Sequence, residues 1–160
     1  MSFNKPGPNK RVCAFFIDSI IAQICAAVIS IVLDRDVVYL VWSIIILFKD
    51  CLHGQSLGKY LVGTQIIDEN DLPAKPGKTI VRNIFMIIPF LPVIEYIRMH
   101  YDRAEGKRIG DNLARTKVAD LKPQIKDKVF LWISILLVII TILIQFSVGV
   151  FLSKIQGIWI

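Results

Sequence analysis

An arginine and an aspartate seven residues apart, Arg11 and Asp18 in "KRVCAFFIDSII", open the first long apolar run of the chain. On an α-helix that spacing puts both on nearly one face, about 10 Å apart along the axis. Asp18 lies well inside the run, where an ionised carboxylate costs ~2.5–3.5 kcal/mol even on the lenient insertion scale. It must be paired, hydrated or protonated. Burial disfavours its charge and a nearby arginine restores it, and that competition suits a proton-linked transport site. Arg82, near the start of a later apolar segment, is a further candidate. It either snorkels to phosphate headgroups or neutralises Asp18 or Glu95.

A second stretch, "HGQSLGKYLVGTQIID", resembles a phosphate-binding loop at first sight. Such a loop needs glycine at position 53 and Ser or Thr at position 60. The chain has His53 and Tyr60 there, so the pattern fails twice. Gly54, Gly58 and Gly63 are read as serving backbone conformation or close packing. Cys13, Cys25 and Cys51 form neither a metal spacing nor an obvious disulfide pair, and His53 and His100 have no ligand cluster beside them. No nucleophile, base and orienting group fall into one arrangement. The expectation is therefore a protein that is not an enzyme and carries no cofactor or metal.

The elements that must position these residues are set by a composition that is 54% hydrophobic and only 20% charged. Two apolar runs, residues 12–33 and 129–152, would be about 33 and 36 Å long as helices, enough to cross a hydrocarbon core. The first is too long for a signal peptide and carries Asp18, so it is read as a retained helix. A polar, Pro/Gly-rich leader occupies residues 1–10. Helix one follows over residues 11–33, then the charged turn "DRD" and helix two over residues 37–52. Helix two reaches only about 24 Å and spans only if Lys49 snorkels and the bilayer thins. Ala14, Asp18, Ala22 and Ala26 form a small-residue stripe that lets another helix approach. Residues 80–97 are apolar but hold Arg82, Pro89, Pro92 and Glu95; two prolines three apart bend the chain.

Net charge is +6, and no basic-aromatic module accompanies it, so the basic loops are assigned to anionic lipid headgroups and not to nucleic acid. Three basic residues, Lys5, Lys10 and Arg11, lie before or at the start of helix one, four lie in residues 49–79 and nine in residues 98–128. If every apolar segment crossed, the nine-charge segment would face outside, against the positive-inside rule. If residues 80–97 return to their starting side, all the basic segments lie inside. The expected fold is an all-α integral membrane protein with three full transmembrane helices and one proline-broken re-entrant or in-plane segment, four spans being the alternative. Residues 62–67 alternate as a strand, and residues 116–121 are a second short strand. Neither can leave its polar edge in lipid, so the two are expected to pair on one side of the membrane.

Three motifs occur in order: "KRVCAFFIDSII", "GQSLGKYLVGTQIID" and "RIGDNLARTKVAD". Together they resemble the RDD family of small membrane proteins, named for one arginine and two aspartates, over residues 10–120. The resemblance places the named residues on Arg11, Asp18 and Asp111. Ile109 stands where the family more often has Leu, and Asn112 replaces a usually apolar residue. Members are described as transport-related, some linked to cation/proton exchange, others found in protein-assembly settings. The resemblance implies a domain over residues 11–121, followed by a C-terminal helix and tail over residues 122–160. It implies a small transporter, or a subunit of one, for cations or another small solute, proton-coupled through Asp18. The alternative is a non-transporting membrane assembly or scaffold protein in which Arg11, Asp18 and Asp111 form a fixed clasp. Either would work as a homo-oligomer or with a partner membrane protein. The expected location is the bacterial cytoplasmic membrane, with the N-terminus in the cytoplasm.

Overall fold

The computed structural model describes residues 4–33, 37–88, 91–101, 108–122 and 127–158. The turn at 34–36, Pro89, Asp102 and the chain end at Ile160 lie outside the described residues. The elements in order are α1 (Pro8–Leu33), α2 (Val38–Phe48), α3 (Leu57–Val62), β1 (Thr64–Asp68), α4 (Pro76–Ile87), α5 (Leu91–Tyr101), α6 (Ile109–Leu113), β2 (Thr116–Asp120) and α7 (Asp127–Ile158). The long apolar runs become α1 and α7, and α1 is long and apolar enough to cross a membrane.

Side-chain contacts fix the direction of each helix. Lys49, just past α2, reaches Asp18 on α1, while the Val37 N–H donates to Ser30 Oγ at the other end. The two helices are therefore antiparallel. On α4, Asn83 donates to the Leu47 carbonyl, and Tyr39 on α2 donates to the Ile87 carbonyl. As α4 rises, α2 falls, so α4 climbs beside α1. The α5 helix comes back down, because Tyr96 bonds Asn9 at the start of α1. Lys10 meets the Phe130 ring, and Ile17 and Leu137 pack on the same cluster further along, so α7 leaves the polar end in the same direction as α1. Small residues permit this packing: Cys13 and Ala14 lie against Phe130, and Ala22 against Ile46 and Met86.

The strand pair forms at that polar end. β1 and β2 are antiparallel, with Thr64 opposite Asp120, Ile66 opposite Val118 and Asp68 opposite Thr116. Ile66 and Val118 are buried. The predicted start of β1 is corrected: Val62 is helical, not extended. Ser56 caps α3 by accepting from the Lys59 N–H, and Gly63 ends it in the left-handed region at φ 72°, so the strand can begin only at Thr64. Helix two is also shorter than the predicted residues 37–52, stopping at Phe48 and spanning roughly 16 Å. Lys49 does not snorkel. Its side chain is 7% exposed and turns inward to Asp18. The leader is shorter too, since α1 starts at Pro8, whose fixed φ suits a first helical turn.

Candidate functional site

At the polar end, charge from α1, the turn after α2, α3, α4 and the start of α6 is gathered into a buried network with three carboxylate centres. Asp111, near the start of α6, is fully buried. Its Oδ2 accepts from Arg11 Nη1 at 3.2 Å and from the Arg108 N–H at 3.2 Å, and its Oδ1 accepts from Arg82 Nε. Burial alone would raise the Asp111 carboxyl, but Arg82, Arg11 and Arg108 hold it down at about 2. A cleft of about 260 Å³ is lined by Asp111, Asn112, Arg115, Thr116, Lys117 and Glu69.

Asp50, in the turn after α2, is the second centre and is also fully buried. It pairs with Lys59, accepts from Asn83 Nδ2 at 3.0 Å, and has Lys49 Nζ at 3.8 Å. Its burial would raise the carboxyl, yet Lys49, Lys59 and Arg82 pull it well below the usual carboxylate range. Burial pushes the Lys59 ammonium in the opposite sense, well below the usual lysine value, with Asp50 opposing.

The third centre is Asp18. Its Oδ2 accepts from Lys49 Nζ at 2.6 Å and from Ser56 Oγ at 2.6 Å, and its Oδ1 accepts from the Gly58 N–H at 2.7 Å. This is what "GQSLGK" does. Ser56 supplies a hydroxyl and the cap of α3, Gly58 a bare backbone N–H, and Lys59 the counter-charge of Asp50. A Cβ on Gly58 would stand 2.2 Å from the Ala14 carbonyl oxygen and 2.8 Å from Asp18 Oδ1, so only glycine lets α3 approach α1 this closely. Asp18 is level with the end of α2, at the border between the charged and apolar parts of α1, and not deep in the span.

Of the four residues singled out from sequence, the structure brings together Arg11, Asp111 and Arg82. Asp18 stands apart from them, joined to Asp50 through Lys49. Arg82 neither snorkels nor neutralises Asp18 or Glu95. It is 4% exposed and bound to Asp111, because α4 lies against α6 at this height. Sequence reasoning missed Lys49, Asp50, Lys59, Asn83 and Arg108. A Lys-Asp pair at the end of an apolar helix, followed by a cap Ser and a Gly-Lys, was the available signal. It also missed a peripheral tie: Lys10, 1% exposed, donates to Asp120 Oδ1 at 2.5 Å and to the Lys122 carbonyl at 2.8 Å, with the Phe130 ring 5.4 Å away. Among the described residues no three His, Cys, Asp or Glu side chains are grouped to hold a metal ion.

No curated protein and no solved structure matches the chain. A family comparison does, and it covers residues 5–159, taking in the last helix as well as the three motifs. With an arginine on α1 and an aspartate on α6 paired, a second aspartate on α1 gripped by the Ser-Leu-Gly turn, and nearly the whole length matched, the chain is a small membrane protein that belongs to the RDD family.

Proposed function

We propose that this protein is a non-enzymatic membrane scaffold, whose charged network is a clasp tying the juxtamembrane turn, the strand pair and α6 to the base of the helix bundle. One observation carries the reading: Asp18, the acid on which a proton-linked pathway would turn, is held by three donors on two sides. A carboxylate so bound is a structural anchor, since both its oxygens are already taken by donors and leave an arriving cation little to bind. The lysines and arginines around it repel cations further. The clasp's partner would be a second copy or another membrane protein, docked on the wide apolar face of α7 that includes Trp132, Leu136, Leu143 and Phe146, all more than half exposed.

The topology that fits is three spans, α1, α2 and α7, with α4 and α5 as a re-entrant helical hairpin. Two observations support this reading: β1 pairs with β2, which favours a return to the starting side after α5, and α1 and α7 share a direction, which suits an odd number of crossings. Residues 19–33 and α2 cover only about 22 and 16 Å, so the bilayer thins around them. By the positive-inside rule the polar end and the N-terminus are cytoplasmic, in a bacterial cytoplasmic membrane, with the basic residues facing anionic headgroups.

A transporter subunit is the second reading, favoured by one feature. Asp18, Lys49, Asp50 and Lys59 form an unbroken file of ionisable groups, with 2.6 Å between the first two and 3.8 Å between the next. Protons pass along such files. Reconstitution separates the two. The scaffold reading expects no pH-driven flux of sodium, potassium or lithium in proteoliposomes, by the parent or by Asp18→Asn, and co-purification of a stoichiometric partner or a second copy. Flux by the parent that is lost in a well-inserted Asp18→Asn variant would establish transport instead.

A further inference from the structure

The strand pair is open at one end, and an acid and a base stand there unjoined. The last pair of the ladder is Asp68 with Thr116, so the next position holds Glu69 on one side and Arg115 on the other. Both are exposed, and neither side chain makes a hydrogen bond or an ion pair among the described residues. Opposite charges at facing positions ordinarily close on each other. Here both line the cleft of about 260 Å³ instead, together with Asn112 and Thr116. The Thr116 hydroxyl, on a residue 4% exposed, also has no partner among the described residues. The other charged side chains of the lining are taken: Lys117 holds Asp71 at 2.5 Å, and both Asp111 oxygens accept from the buried network.

Arg115 is held there in an unfavourable conformation. Its φ is 49°, in the left-handed region that L side chains rarely adopt and that glycine enters freely. Strain of this kind clusters at ligand clamps, and the Arg115 side chain has no bond within the described residues to account for it. The cleft also has a definite depth. Arg11, which bonds Asp111 near the start of α6, lies seven residues before Asp18, about 10 Å along α1 from the apolar border. The headgroup layer of one leaflet is about 5–8 Å thick, so the cleft lies at its outer edge. Exposed Leu113, beside Asn112, and exposed Leu72, in the turn that carries Glu69, add apolar surface nearby.

We propose that this cleft binds the headgroup of an aminophospholipid, with the phosphate on Arg115 and the primary ammonium on Glu69. The guanidinium fork matches two phosphate oxygens, and Asn112 and the Thr116 hydroxyl are further donors to the phosphate. The ammonium, two carbons beyond the phosphate ester oxygen, turns to the Glu69 carboxylate. A zwitterion suits these walls better than a pure anion, which Glu69 repels, or a metal ion, which Arg115 repels. A phosphate without an amine leaves Glu69 unmatched, and a quaternary amine offers it no N–H. A lipid so bound ties the open end of the strand pair to the membrane surface. The site goes beyond the scaffold reading and holds whether or not the protein transports anything. Its depth rests only on α1 crossing the bilayer, which a soluble headgroup tests separately.

The test uses the purified full chain in mild detergent. Phosphatidylethanolamine, phosphatidylcholine and phosphatidylglycerol with identical acyl chains are offered at equal concentration, and retained lipid is read by native mass spectrometry. The proposal expects phosphatidylethanolamine to be held about fivefold more tightly than the other two, the size of one exposed ion pair. Glu69→Gln should erase its advantage over phosphatidylglycerol. Arg115→Gly should lose the bound lipid yet melt no lower than the parent, because glycine suits a φ of 49°. Equal retention of the three lipids by the parent overturns the proposal, as does an unchanged preference in Glu69→Gln. An Arg115→Gly variant that melts lower and keeps the preference marks Arg115 as structural and overturns it too. Should that variant fail to fold, Glu69→Gln decides alone, its side chain being exposed and unbonded. Displacement of the lipid by water-soluble phosphoethanolamine at similar concentration would give the site to a soluble zwitterion and overturn the lipid assignment.

Discussion

Replacing Asp111 by Asn removes the negative charge that Arg11 and Arg82 share while keeping the side-chain shape. Both arginines are at most 5% exposed, so neither can turn to water. Breaking a buried pair by removing one partner costs about 3–5 kcal/mol. The Asn oxygen still accepts one hydrogen bond, so the lower end, about 3 kcal/mol, is expected. For a chain of this length that is a fall in melting temperature of roughly 6–12 °C. The pH dependence gives an independent reading. The Asp111 carboxyl is held at about 2 in the folded protein against 3.8 ordinarily. A depressed carboxyl stabilises the fold fully above its unfolded value, and that stabilisation is lost as pH falls through the folded value. It is worth about 2 kcal/mol at neutral pH and disappears between about pH 4 and pH 2. Melting curves in detergent from pH 7 down to pH 2.5 should therefore show the parent losing this component and Asp111→Asn lacking it. If Asp111→Asn melts within about 1 kcal/mol of the parent at pH 7, the buried pair is not what holds α6 to α1.

Three further outcomes follow from the same geometry. Gly58→Ala should cost about 2–3 kcal/mol by thermal melting, because its Cβ meets the Ala14 backbone; Gly77→Ala, where nothing lies within 4 Å, should cost almost nothing by comparison. Lys10→Met should lower stability by about 3 kcal/mol through the stranded Asp120 carboxylate, and Lys10→Met with Asp120→Leu should recover most of it, read as a double-mutant cycle. In a background lacking Cys13, Cys25 and Cys51, cysteines at exposed Asn70 and Asn112 should react with an impermeant reagent from one and the same side of the membrane; labelling from opposite sides would break the re-entrant reading.

What the sequence revealed and what it concealed follows from the range of the forces involved. The apolar runs are local and long, so α1 and α7 were legible, as was the division of residues 80–97 into two helices, α4 and α5. The strand pair was legible because a strand edge in lipid must be matched, although its start was misread. The capping Ser56 and the closing Gly63 outweighed the alternation of Val62, Thr64 and Ile66. The partners of the charges were harder. Arg11 and Asp111 were identified through the family resemblance, but nothing local showed that Asp18 would be taken by Lys49. That pairing depends on where α2 stops, and an apolar helix gives no sign of its end until tertiary contact supplies one. Lys49, Asp50 and Lys59 look like ordinary interfacial charges in the sequence. Only the approach of α3 to α1, permitted at Gly58, makes them interior.

The ties that close the polar end join residues far apart in the chain: Arg11 to Asp111 across 100 positions, and Lys10 to Asp120 across 110. During synthesis α1 is inserted first, so Lys10, Arg11 and Asp18 reach the membrane long before most of their partners exist. Lys49 and Ser56 emerge early enough to shelter Asp18 soon afterwards. Arg11 and Lys10 must wait until α6 and β2 have been made. For that interval the first helix is a marginal guest of the bilayer, its charged end open to slippage and to quality-control proteases. The chain's final third thus decides whether its first helix stays where it was put, and truncations before Asp120 should be degraded even though every residue of α1 and α2 is present.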